Sequence, residues 1–207
     1  MHNFFYDLTS RERKVFERLN TPQKIQDFLG QLPQNFYESS ETCYSPRMVL
    51  KKKRAHCFEG ALFAASALWY HGQKPLLLDL VADSYDYDHV VALFKQDGCW
   101  GAISKTNYAV LRYREPIYKT IRELVLSYFH EYFLDDGRKT LRKYSQPFDL
   151  RKFSQDNWIV SDKPMWYIGD VLDDSPHLPI LNNRQIKNLR KADPIEIKAG
   201  KLRQWKK

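Results

Sequence analysis

The stretch AHCFEGALFAASALWYHG, residues 55–72, puts a cysteine and a glutamate at the mouth of an alanine- and aromatic-rich segment that reads as a helix from Cys57 to His71. The first turn of a helix has unpaired N–H groups and a partial positive charge, which together stabilise a thiolate and lower the pKa of a cysteine placed there. The same N–H groups can hold a developing oxyanion. Cys57 therefore has the position of a nucleophile, and a nucleophile of this kind needs a base within hydrogen-bond reach. His89 is the candidate base, because it opens the valine-rich run DHVVALF, a strand expected beside the helix. His56 also adjoins the cysteine, but neighbours on a helix diverge by ~100°, which argues against it as base. Glu59 falls in the first turn, where a carboxylate suits the helix dipole; its other readings are a substrate contact or an ion pair with the basic run KKKR at 51–54. Trp100 reads as a core residue or as an indole N–H donor to an oxyanion.

These residues need elements to position them. Thr9 and Glu12 form a capping-box pattern opening a helix to about Leu19, and Thr21-Pro22 and Ser45-Pro46 each pair an N-cap with proline at the first helical position. Gly72 is a natural stop for the cysteine helix, and Gly60 and Ala61 keep its face small for close packing. The period then changes. PLLLDLVA (75–82), HVVALF (89–94) and CWGAISKT (99–106) read as three strands, with a turn at Gln96-Asp97-Gly98. REPIYKTIRELVLSYFHEYF (114–133) reads as one amphipathic helix started by Pro116. Residues 138–160 read as irregular around buried Phe148 and Trp158, followed by short helices near 164–173 and 183–191 and a fraying tail. The expectation is an α+β fold of a single domain, 1–207. Its core, 45–110, is a Cys-bearing helix packed on a small antiparallel sheet, with flanking helices at both ends and a helical extension over 114–207.

A helix opening C-x-E-G-A, then D-H-V-V on a strand and W-G-A-I-S about a hairpin later, resembles the transglutaminase-like branch of the papain-related cysteine hydrolases. The likeness covers roughly 45–110, and the flanking helices look like those of a bacterial branch of that superfamily. It implies Cys57 as nucleophile and His89 as base. The family's third member is an aspartate about fifteen residues after the histidine. Here Ser104 occupies that place. A serine hydroxyl can accept from an imidazole N–H, but it cannot stabilise imidazolium as a carboxylate does. Asn107 is the next polar candidate, since papain-type sites can use an amide as orienter.

Composition bounds the rest. The 207 residues carry a net charge of +8, with 43% hydrophobic and 28% charged residues, as in an ordinary globular chain. No apolar run reaches the ~18 residues of a membrane span, and MHNFFYDLTSRERK lacks the pattern of a signal peptide. Cys43, Cys57 and Cys99 form neither a disulfide framework nor a zinc pattern, so they read as free thiols in a cytoplasmic protein without metal or organic cofactor. Cys43 and Cys99 read as packing residues. From Gln185 to Lys207 eight Lys/Arg face only Asp193 and Glu196, a basic tail that could make salt-sensitive nucleic-acid contacts, although no nucleic-acid motif accompanies it. Arg112, Arg114, Arg142 and Lys143 form a second basic cluster, which could bind a carboxylate or phosphate or else pair with Glu115, Glu123 or Asp149. The first functional expectation is a cysteine-dependent amide- or thioester-bond hydrolase or acyltransferase acting on a protein or peptide-like substrate. The alternative is an inactive domain of the same fold that binds a partner through its basic surface.

Overall fold

The computed structural model describes residues 5–36 and 42–206, so residues 1–4 of the N-terminal stretch and Lys207 of the basic tail lie outside the described residues. Three helices lead in: α1 (Ser10–Arg18), α2 (Pro22–Gln31) and α3 (Pro46–Lys52). Each starts where its cap requires. The hydroxyls of Thr9, Thr21 and Ser45 accept from the N–H three residues on, and Glu12 closes the capping box of α1. They surround α4 (Cys57–Tyr70), in which every residue from Glu59 to Trp69 is buried. A helix apolar all round has to be a central one. Gly72, at φ +88°, ends it in a conformation that favours glycine.

The chain then forms a mixed α+β layer arrangement around one antiparallel sheet. Its strands are β1 (Leu76–Ala82), β2 (His89–Gln96), β3 (Cys99–Ile103), β4 (Arg114–Tyr118), β5 (Leu141–Ser145), β6 (Phe148–Asp149) and β7 (His177–Pro179). They are ordered β4-β3-β2-β1-β5-β7, with β6 also paired to β1. The period-2 pattern splits the sheet into two faces. Leu77, Val90, Ala92 and Phe94 pack with α4 and the N-terminal helices. Leu78, Leu80, Val91 and Leu93 pack with α5 (Ile121–Phe129) on the other side.

Two expectations change. The single helix over 114–133 is instead strand β4, a turn and α5. Thr120 accepts from Glu123 N and forms a capping box, so the helix begins only at Ile121. Residues 114–118 meanwhile pair with β3, as Trp100↔Tyr118 and Ala102↔Arg114. Pro116 is tolerated there because β4 is an edge strand. The segment 138–160 is also not irregular throughout: it carries β5, β6 and a 3-10 turn (Leu150–Asp156), with Phe148 and Trp158 buried as expected. The region beyond 113 thus contributes four strands, and the sheet has seven strands, not three. Downstream lie α6 (Trp166–Asp173), α7 (Asn183–Lys187) and α8 (Pro194–Gly200); α8 forms within the tail that was expected to fray.

Candidate active site

Cys57 opens α4, and His89 opens β2. The two side chains meet where the helix N-terminus passes the start of the strand: both line one cleft, and the His89 imidazole lowers the pKa of the thiol. His89 is buried, and its Nε2 lies 2.8 Å from Ser104 Oγ, just beyond the end of β3. That hydroxyl donates its own proton to the Leu111 carbonyl at 2.5 Å. Ser104 must therefore accept from Nε2–H, which leaves Nδ1 to face the thiol. Leu111 is held in turn, its N–H donating to Glu131 Oε2 at 2.8 Å. Cys57, His89 and Ser104 are brought together.

A second histidine joins them. His56 is the N-cap of α4, with φ −95° and ψ −174°, so the helical angle between neighbours does not apply to it. Its ring and the Cys57 thiol act on each other, each favouring the charged form of its neighbour. Its Nε2 lies 2.9 Å from the Thr42 carbonyl and 3.3 Å from Glu59 Oε1. Facing a carbonyl and a carboxylate, that nitrogen must carry a proton. Burial works against its charge, but the hydrogen bonds to Cys57 and Glu59 outweigh this and push its pKa up to about 10. The sequence offered one signal for this, the H-C-x-E spacing, which the assumption of helical geometry at residue 56 hid.

Glu59 is the anchor of that histidine. It is fully buried. It accepts from Asn35 Nδ2, from Thr42 Oγ1 at 2.8 Å, and from the N–H groups of Tyr44 and His56, both at 2.9 Å. Burial raises its pKa less than the hydrogen bonds and the His56 charge lower it, so it stays an anion. With its oxygens occupied inside the protein it touches neither substrate nor the 51–54 run.

Cys57 as a residue is half-buried. Burial opposes ionisation, yet the hydrogen bonds and positive charges of His56 and His89 hold its pKa well below the usual thiol value. The Cys57 N–H, in a first turn without intrahelical partners, sits beside the reacting atom. Cys43 is the contrast: buried without such partners, its thiol is pushed up to about 12.

Two other expected site residues lie elsewhere. Trp100 sits four residues before Ser104 on β3, packs with the α5 layer, and takes Lys95 over its ring at 5.2 Å. It does not line the cleft at Cys57. Asn107 does not reach His89. Its Nδ2 donates to the Trp205 carbonyl at 3.0 Å, and its Oδ1 accepts from Trp205 N at 2.8 Å. It clasps the C-terminal segment, which Ala109 N also holds through the Leu202 carbonyl at 3.0 Å. Of the second basic cluster, Arg114 pairs with Glu131 at 2.7 Å and Arg142 with Asp83 at 2.8 Å, not with the acids expected from sequence.

Cys57 and His89 open into a cleft of about 660 Å³. Its walls are the 85–88 loop, residues 105–111, the segment 131–136, and α8 with the residues that follow it. Among the described residues no group of three or more His, Cys, Asp or Glu is placed to hold a metal ion, and no helix is long and apolar enough to cross a membrane. A reactive sulfur, a base with an oriented tautomer, a fixed second cation and a helix N-terminus form a set suited to acyl transfer through a thioester. Compared with known proteins, the chain matches no protein-family model, and no curated protein matches it.

Proposed function

We propose that the protein is a cytoplasmic cysteine-dependent hydrolase of amide or thioester bonds, of the transglutaminase-like, papain-related kind. The observation that carries this reading is that Cys57 and His89 share the mouth of a cleft, with the thiol pKa lowered by His89 and the imidazole hydrogen-bonded to Ser104, which donates to the Leu111 carbonyl. The Cys57 thiolate attacks the substrate carbonyl carbon, and the oxygen takes the negative charge against the Cys57 N–H. His89 gives a proton to the departing amine or thiol as the C–N or C–S bond breaks, leaving a thioester on Cys57. A water then attacks that thioester and passes a proton to His89, and the carboxylic acid leaves as the thiolate returns. His56 takes no proton in this cycle; its charge helps to keep the pKa of the free sulfur low. Hydrolysis is preferred to crosslinking as the simpler reading, because water needs no acceptor subsite of its own. The free cysteines support a reducing compartment.

The test is the pH dependence of iodoacetamide alkylation at Cys57, read by peptide mass in the wild type and His89→Ala. A labelling pKa well below the free-cysteine value of ~8.5, moving up in His89→Ala, supports the reading. A thiol that reacts no faster than free cysteine removes it, and leaves the non-catalytic binding protein with a basic surface as the better account.

A further inference from the structure

Lys105 is the residue after the serine that orients the base, and it is only 2% exposed. Its side chain runs against α4 one helical turn beyond the nucleophile. A Cβ on Gly60 would lie 2.4 Å from Lys105 Cβ and 3.0 Å from its Cγ, so the helix is notched where the lysine stem passes. The ammonium donates to the Leu32 carbonyl at 2.6 Å. It has three protons to donate, and among the described residues it pairs with no carboxylate. The nearest charge acting on it is another cation, Arg112.

A buried cation without a counter-ion is costly and is normally paired or neutralised. Here burial, followed by Arg112, lowers its pKa to about 8, so it remains charged at neutral pH. Lys105 lines the same cleft as Cys57 and His89. So does Gln34, whose buried Oε1 has no partner among the described residues. A cation without a counter-ion and an unmet acceptor in the cleft of one nucleophile are complementary to a group that offers a carboxylate and an N–H.

The acids of the cleft do not supply the missing partner. Glu131 pairs with Arg114 at 2.7 Å, and Asp135 with Lys201 at 3.5 Å. Asp136 pairs with Arg138 at 2.8 Å, and Asp86 accepts from Thr140 Oγ1 at 2.6 Å. Asp88 accepts from Ala82 N at 2.8 Å.

We propose that Lys105 is a specificity residue that binds a carboxylate of the substrate close to the bond that Cys57 attacks. The substrate class is then an acylated amino acid or a peptide whose free carboxylate lies next to the scissile bond. A lone ammonium suits a singly charged carboxylate better than a phosphate, which is usually met by a fork or a cradle of several donors. The proposal rests on Cys57 being the nucleophile.

The experiment compares iodoacetate with iodoacetamide as probes of Cys57 at pH 6.5, where Lys105 is charged, in the wild type, Lys105→Met and Lys105→Gln. Circular dichroism confirms that each variant is folded, and the two neutral side chains, one apolar and one polar, differ in how they pack so that a packing defect in one does not decide the result. The two reagents alkylate the same sulfur and differ only by a carboxylate. Loss of the ammonium should lower the iodoacetate-to-iodoacetamide rate ratio by about tenfold, the effect of a unit charge at close range in a partly screened site. The cations His56 and His89 stay in place, so the change reports Lys105. An unchanged ratio with a thiol that still reacts fast overturns the carboxylate subsite while leaving the nucleophile intact. Slow labelling by both reagents in the wild type overturns the nucleophile, and the subsite with it.

Discussion

His89 Nε2 lies 2.8 Å from Ser104 Oγ, and that hydroxyl passes its own proton to the Leu111 carbonyl at 2.5 Å. The backbone carbonyl makes the serine an obligate acceptor toward the imidazole. This fixes one tautomer of His89 and aims its other nitrogen at Cys57. The serine thus performs the orienting half of what a carboxylate does, without adding a negative charge.

Replacing Ser104 tests that division. Ser104→Ala should slow Cys57 alkylation at neutral pH by roughly fivefold, the worth of one buried hydrogen bond of about 1 kcal/mol. Ser104→Asp should be no better than alanine. A carboxylate accepts only, and here it would face the fixed Leu111 carbonyl. Faster labelling in the aspartate variant would show that the carbonyl can turn away.

The buried His56–Glu59 pair should govern the sulfur independently of the base. Cys57 has its pKa depressed by both histidines, so in the wild type its reactivity persists well below the usual thiol range and is lost only as pH falls through that low value. In His56→Gln and in Glu59→Gln the labelling midpoint should rise toward ~8.5, the free-cysteine value. Glu59→Gln should also lower unfolding stability by about 3 kcal/mol, because it breaks a buried charged network from one side. Denaturant titration measures the second effect. A midpoint that moves in His89→Ala alone would assign His56 to structure only.

Gly60→Ala should be destabilising by about 1–3 kcal/mol through overpacking. The new methyl meets a Cβ, at 2.4 Å, not the mobile end of a side chain, so no rotamer change relieves it. Either α4 or the strand-end backbone at Lys105 has to move, and Cys57 or Ser104 moves with it. Thermal unfolding and the Cys57 labelling rate should fall together.

A second histidine–carboxylate contact, away from the proposed chemistry, predicts a pH dependence of stability. His177 places Nδ1 2.6 Å from the Ser175 carbonyl, so that nitrogen donates, and Nε2 3.1 Å from Oδ2 of buried Asp79. Asp79 Oδ1 has no partner. Burial, then the charge of Asp88, raises the Asp79 pKa to about 7 against an ordinary 3.8, more than His177 lowers it. A carboxyl raised in the folded state contributes stability that is full below the unfolded value and is lost as pH rises toward the folded one. Stability from this group therefore declines between about pH 4 and pH 7. Asp79→Asn keeps a donor for His177 Nε2 and removes the buried charge. It should flatten the decline and leave the variant more stable at pH 8 by about 1–3 kcal/mol. Tm measured at pH 5 and pH 8 decides the sign.

Much of the frame was legible in the sequence because it is written locally. The caps at Thr9, Thr21 and Ser45, the proline starts and the Gly72 stop each depend on residues within one turn, and the helices begin there. The short apolar runs at 75–82 and 89–94 placed two strands. The strand at 114–118 and those at 141–149 were not legible. Their residues are polar or helix-compatible, and pairing with β3, β1 and β7 holds them extended. At β5 the alternation itself is interrupted by the shift between Val81 and Ala82.

The candidate site divides along the same line. Residue type and helix position singled out Cys57 and His89 in the sequence, since a thiol at a helix start and an imidazole opening a strand have local signatures. The role of each partner was decided by contacts across long stretches of chain. Leu111 makes Ser104 an acceptor, Asn35 and Thr42 bury Glu59 beneath His56, and Trp205 takes Asn107 away from the imidazole. A hydrogen bond is directional and short, so the function of a polar side chain follows from which group the fold brings within 3 Å of it, and that is a property of the tertiary structure alone.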